Sequence, residues 1–381
     1  MNKTHLERIF ANYIEKFEWL NAPPPGNDEV YKWRIAYDFK AKMDAALEAS
    51  DADLPQSLHQ LKRDSENIID SYTQPFEGLS KFAEHEPNTV RTMFRDLFAD
   101  DGGDLMVRQQ KIEAFLQKSH ALRDRYFQGS YLYNDDFHSV TGYLALYDPD
   151  SNYIYKATHA HNFADCIEFY DDWGYGDHTN LAAYYRMCDW IVQEIFANEA
   201  ILKTDASRFE VYSENPLHPD ANKHILAFDL IYCCTTYGLF HGITFDRPNS
   251  KEKKLYLERK SKAEELSQKL LKAKTDEALL LEAKQYLQSV MGKGADVLSK
   301  AFGPSTVMEN NGEMVSIRIS SGEIKKLGLS TAAANKLLAV DSPDYAEQIT
   351  RYASVLRREA MIPKAVRDAE QALEPYLEYL E

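Results

Sequence analysis

No stretch of the 381 residues holds eighteen consecutive apolar side chains, the length a membrane-crossing helix needs. The opening MNKTHLERIFANYIEKFEW is charged and amphipathic, unlike a secretory leader. The sequence therefore predicts a cytoplasmic chain with no membrane partner. Cysteine is scarce: Cys166, Cys188, Cys233 and Cys234 form no C-x-x-C pair, so reduced thiols fit better than a disulfide framework. No G-x-x-x-x-G-K-[ST] occurs, and the nearest string, Met291-Gly-Lys-Gly294, lacks the loop length and the following hydroxyl of a phosphate cradle. There is no G-x-S-x-G elbow, and no cysteine lies in a catalytic context. These absences argue against nucleotide hydrolysis and against nucleophilic catalysis, and no cofactor is expected.

Hydrophobic residues at 44% and aromatics at 12% supply sizeable cores, and the length exceeds what one core usually organises, so two domains are expected. The formal charge of −16 excludes a protein that coats nucleic acid over its whole surface, while a local basic site stays open. The charge is unevenly spread: the first 250 residues carry −17 and the remainder +1. That shift suggests a boundary near 250. The sequence then divides into an acidic, mostly helical domain over 1–248, a long charged helical connector over 249–302, and a small helical domain over 303–381.

Within the first part, Leu6, Ile9, Phe10, Tyr13, Ile14 and Phe17 mark one face of an opening helix, which the run Asn21-Ala-Pro-Pro-Pro-Gly26 ends. Tyr31, Ile35, Phe39 and Met43 mark a second helix. Thr141 to Tyr170 reads differently. Tyr143, Ala145 and Tyr147 alternate with Leu144 and Leu146, the turn Asp148-Pro-Asp-Ser-Asn152 follows, and Tyr153-Ile154-Tyr155 resumes, which predicts a β-hairpin over about 140–156. The expected fold class is α+β: predominantly helical, with a small antiparallel sheet at that hairpin and a helical C-terminal domain.

Four groupings bear on chemistry. His159 and His161, with Cys166 nearby, His178 on a following loop and His138 before the hairpin, offer the imidazole and thiolate donors of a zinc or iron site, although their spacing matches no regular metal motif. The bland alternative is that they cap the hairpin and its helix. Cys233 and Cys234 lie in the apolar HILAFDLIYCCTTY, where thiols pack as small hydrophobes. Residues 321–338 read as a helix-turn-helix: Ile324 and Leu327 inward, Gly328 at the turn, Ser330 as N-cap. There Thr331, Asn335 and Lys336 would face a major groove and Lys325 and Lys326 would meet phosphates. Any helix-Gly-helix corner gives a similar string. The basic helix from Lys251 suits nucleic acid, a partner helix or a solvated connector.

The order of segments between Val90 and Tyr237 resembles the region upstream of the motor in McrB-like AAA+ restriction proteins. The resemblance is carried by Phe94-Arg-Asp-Leu-Phe98, by Val140-Thr-Gly-Tyr-Leu-Ala-Leu-Tyr-Asp-Pro-Asp150 with Tyr153-Ile-Tyr-Lys156, and by His224-Ile-Leu-Ala-Phe-Asp-Leu-Ile-Tyr232, with Tyr31-Lys-Trp33 also similar. It implies a bacterial defence setting in which this part serves recognition or regulation and a separate motor or nuclease subunit acts. The motor itself is absent here. The leading expectation is a non-enzymatic, restriction-associated module that binds DNA or such a subunit. The alternatives are a metal-dependent enzyme built on the histidines and a protein–protein interaction scaffold.

Overall fold

A computed structural model describes residues 1–23, 25–69, 72–211 and 216–380, so Pro24 of the triple-proline run lies outside the described residues. The chain forms two compact units, Met1–Lys254 and Leu255–Glu381. It is predominantly helical with one small antiparallel sheet. Among the described residues no helix is long and apolar enough to cross a membrane.

The first unit is all helix and loop among the described residues. Lys3–Leu20 starts where the Asn2 side chain accepts from the His5 amide, and it buries Leu6, Ile9, Phe10, Tyr13 and Phe17 as the 3.6-residue period requires. The helix Tyr31–Glu48 buries a stripe made of Lys32, Ala36, Phe39 and Met43.

The expected hairpin is not there. Phe137–Tyr147 is a helix, opened by a capping box between Asp136 and Ser139. Residues 139–146 are buried all round, so no polar face breaks the apolar run; without it a buried helix and a buried strand look alike in sequence. The turn after it is real, but 152–156 pairs with no strand. Its backbone is satisfied by hydroxyls: Tyr153 N–H donates to Tyr185 Oη, Tyr155 N–H to Thr141 Oγ1, and Tyr184 Oη donates to the Ile154 carbonyl.

Asp135, just before that helix, is fully buried and accepts from Ser119, Ser139 and Tyr143, with no cationic partner among the described residues. Burial pushes its carboxyl up to about 6, above the unfolded value of 3.8. A raised acid contributes stability that is complete below the unfolded value and lost as pH rises through the folded one. Asp135→Asn is therefore expected to cost less at pH 7 than at pH 5, by roughly 1 kcal/mol from this linkage. Urea unfolding of both proteins at the two pH values checks it, and a difference that ignores pH would refute the assignment.

The second unit begins within the helix Ser250–Val290, whose residues 274–282 ion-pair with the helices Tyr345–Arg357 and Ile362–Leu373 and the cap of the former: Arg351 with Glu282, Arg358 with Asp276, Lys274 with Glu370. Five antiparallel strands follow: β1 Asp296–Ser299, β2 Gly303–Asn310, β3 Met314–Ile319, β4 Ile324–Gly328 and β5 Leu338–Val340, in the order β4-β3-β2-β1-β5. One face buries Val297, Val307, Val315, Ile317 and Leu338 with Leu287 and Tyr352. The small sheet thus lies at 296–340 rather than 140–156, and the C-terminal region is not wholly helical.

Candidate functional site

The segment read as a hairpin walls a cleft of about 690 Å³ in the first unit, within the range of small-molecule sites. Lys40 comes from Tyr31–Glu48, Phe98 from Pro87–Phe98, Arg108 from Leu105–Tyr126, and Tyr185 and Asp189 from Leu181–Phe196. Asp148 to Tyr153 and the imidazoles of His218 and His224 complete it. Aromatic stacking fixes one wall: Phe98 and Tyr147 lie 3.8 Å apart and nearly parallel, and the Lys40 ammonium stands 3.6 Å from the Tyr147 ring.

The electrostatics are lopsided. Asp101 is committed to Arg108 and Lys111, and Asp189 accepts from Tyr153 Oη at 2.8 Å. Asp100, Asp148 and Asp150 have no lysine or arginine partner among the described residues. Asp150 Oδ1 is buried with no hydrogen-bond partner among the described residues, and Oδ2 stands 4.0 Å from His218 Nε2. His218 Nδ1 accepts from the Asp220 amide, which leaves the proton of the neutral ring on Nε2. Burial lowers the pKa of His218 and of His224, so both rings are neutral at pH 7. The cleft is a negatively charged, aromatic-sided recess with an unsatisfied acceptor.

Behind it lies a buried ionic network. Lys32, 1% exposed, bonds both Glu29 and Asp229, and its ammonium stands 4.3 Å from the Tyr232 ring. Burial opposes that charge, but Asp229 raises the pKa well above the ordinary lysine range. Tyr13 Oη donates to Asp229 at 2.6 Å and accepts from Arg208, which is also held by Asp205 and Asn21. Glu29, Asp229 and Cys233 present ligand atoms within 4.8 Å of one another. The Lys32 ammonium already takes the position of a cation there, and burial pushes the Cys233 thiol up, so the set reads as an ion-pair core.

The expected metal cluster is dispersed. His159 and His161 lie in the helix Ala157–Cys166, where residues two apart point about 200° apart instead of to one face as in a strand. His159 stacks on Tyr232 and pairs with Thr236; His161 accepts from Trp173 Nε1 and stacks between Trp173 and Tyr175. His178 is exposed on the short turn Gly176–His178. Cys166 is buried, its thiol pushed up to about 12 by burial.

The DNA-reading corner is likewise rearranged. Lys325 and Lys326 lie on β4, so they point to opposite faces, and Lys325 pairs with Glu323. Gly328 takes φ −65°, extended and not left-handed, because it pairs with Met314 in the β3–β4 ladder. Thr331 is exposed on the six-residue helix Leu329–Ala334, whose other positions are buried, while Asn335 caps its end and Lys336 follows at φ +54°. These five residues therefore do not form a helix-turn-helix.

Sequence reasoning gave no site role to Lys32, Asp150, His218 or His224, although the first, second and fourth lie in the segments that carry the resemblance. The first was detectable as a lysine on an apolar stripe; the others come together through the tertiary fold. Comparison with family models, curated proteins and solved structures gave no match to this chain.

Proposed function

We propose that this chain is a non-enzymatic recognition module, and that its first unit binds a cationic hydrogen-bond donor, an amine or guanidinium presented by a partner subunit, in the acidic cleft. The observation that carries this reading is Asp150 Oδ1, buried without a donor in a recess where free carboxylates outnumber free cations. The Asp150 side chain is 44% exposed to the recess, and an entering ammonium or guanidinium gives its shielded oxygen a charge-assisted donor while meeting the charge. The restriction-associated setting rests on the resemblance over residues 90–237. A partner subunit is favoured over DNA because the unit that carries the cleft is the acidic one, and like charge opposes phosphate approach.

Argininamide and spermidine serve as probes. Calorimetric titration into the full chain is expected to show saturable binding to one or both, weakened about tenfold or more in Asp150→Asn, as loss of a charge-assisted hydrogen bond predicts. Equal binding by wild type and variant would remove the cleft from the account. Tight, salt-sensitive binding of duplex DNA that is lost in Lys325→Glu and Lys336→Glu would establish the DNA reading instead.

A further inference from the structure

We infer that the outward face of the five-stranded sheet in the second unit is a self-association surface, on which two copies of this chain pair about a two-fold axis. The inward face packs on Leu287 and Tyr352 of the unit's own helices. The outward face is open. Along β1 the side chains alternate, Val297 and Ser299 buried, Asp296 and Leu298 outward. Leu298 is 58% exposed, and the register sets it between Pro304 on β2 and Ala339 on β5, both exposed as well. The three line a shallow recess of about 760 Å³.

An exposed leucine by itself names no partner. The charges beside it do. Asp296 stands opposite Thr306, and Thr306 opposite Arg318. Asp341 follows Val340, which pairs with Val297, so it comes beside Asp296. One row thus crosses β5, β1, β2 and β3 as Asp341, Asp296, Thr306 and Arg318, and all four line the recess. Its charged members are exposed and form no ion pair among the described residues; Asp296 accepts only from Thr306 Oγ1, at 3.3 Å. Neighbouring strands lie about 4.8 Å apart, which puts Arg318 and Asp341 roughly 14 Å apart with their midpoint between β1 and β2. A two-fold axis along the strands at that midpoint lays Arg318 of each copy over Asp341 of the other. The same operation brings each Leu298 to the other copy's Pro304. That reciprocity is what an isologous contact requires. Any other partner must carry the matching row separately, whereas a second copy carries it already. Stacking of two sheets face to face, about 10 Å apart, is the usual way to cover such a surface. The patch is only four strands wide, so the contact belongs with small, transient interfaces rather than permanent ones.

Sedimentation equilibrium of the full chain, from about 1 to about 200 μM, is expected to show monomer and dimer in exchange. Added salt is expected to favour the monomer, because exposed ion pairs are screened. Arg318→Asp sets acids against acids across the axis, and Asp341→Arg sets arginines against arginines. Each alone is expected to weaken association about tenfold or more, as like charges in apposition predict. Mixed in equal amounts, the two variants are expected to pair with each other. The double variant Arg318→Asp/Asp341→Arg is self-complementary again and is expected to recover most of the wild-type association. Melting of each variant alone checks that it is folded, both positions being exposed. A wild-type chain that stays monomeric throughout would overturn the inference, since this face would then meet solvent or a different partner. It would fall equally if both single reversals dimerised like wild type, which would place the contact elsewhere, or if the two variants failed to pair on mixing.

Discussion

Lys32→Met is expected to destabilise the Met1–Lys254 unit by about 3–5 kcal/mol, because it removes one partner of a buried pair and leaves carboxylates without compensation. Lys32, Glu29 and Asp229 are each no more than 3% exposed, so water cannot take over the solvation of the two acids. Tyr237 and Tyr13 donate to Glu29 and Asp229, but a phenol hydrogen bond does not neutralise a charge. The damage is expected to spread through Tyr13 to Arg208, whose guanidinium stacks 3.7 Å over Trp33. Urea unfolding followed by tryptophan fluorescence reads both the stability and the surroundings of Trp33. The sign of the mechanism is tested by Lys32→Met combined with Glu29→Gln and Asp229→Asn. Removing all three charges is expected to recover much of the loss, since a neutral replacement of a buried ion set is often tolerated. If the triple variant were as unstable as the single one, packing rather than charge would be the cause.

Lys32 also shows what was legible in the sequence. Between Tyr31 and Met43 it falls on the same stripe as Ala36, Phe39 and Met43, and Asp229 interrupts the apolar HILAFDLIYCC. A lysine on one apolar face and an aspartate on another imply a buried pair, although nothing in the sequence says that they meet. The amphipathic helices were readable because a half-buried helix writes its period into the chain, as Leu6, Ile9, Tyr13 and Phe17 do. Phe137–Tyr147 was not, since burial on every side erases that period. The metal reading grouped histidines by their nearness in sequence, and the helix Ala157–Cys166 turns His159 and His161 to different faces. At Ile324–Gly328 the opposite error occurred: a short strand with two lysines carries too little alternation to show itself against a helical background, and the ladder with Met314–Ile319 decides its shape. The cleft was illegible for a different reason. Lys40, Arg108, Asp150 and His218 are held together by packing between distant segments, and no local pattern encodes that.

Phe94→Ala is expected to cost about 3–5 kcal/mol, the range for emptying a buried aromatic site. Phe94 is fully buried, with ring centroids of Phe115 at 5.3 Å, Tyr143 at 5.6 Å, Phe98 at 5.7 Å and Phe76 at 6.4 Å. Truncation therefore forfeits its transfer energy and leaves a void that four rigid rings cannot close without leaving their rotamers. The same residue supports the cleft. Phe98, one turn on, carries the stack with Tyr147 that in turn places Lys40, so a hole beneath Phe98 is expected to loosen that wall and weaken argininamide binding as well. The two readouts distinguish this variant from Asp150→Asn, which is expected to lose affinity while keeping most of its stability. Phe94→Leu keeps much of the volume and is expected to recover part of both losses. Should Phe94→Ala lose less than about 1 kcal/mol, the rings must repack into the space, contrary to the cavity cost expected for so large a truncation. Should it lose stability while binding argininamide normally, the cleft wall stands without the aromatic cluster, and recognition rests on the carboxylates alone.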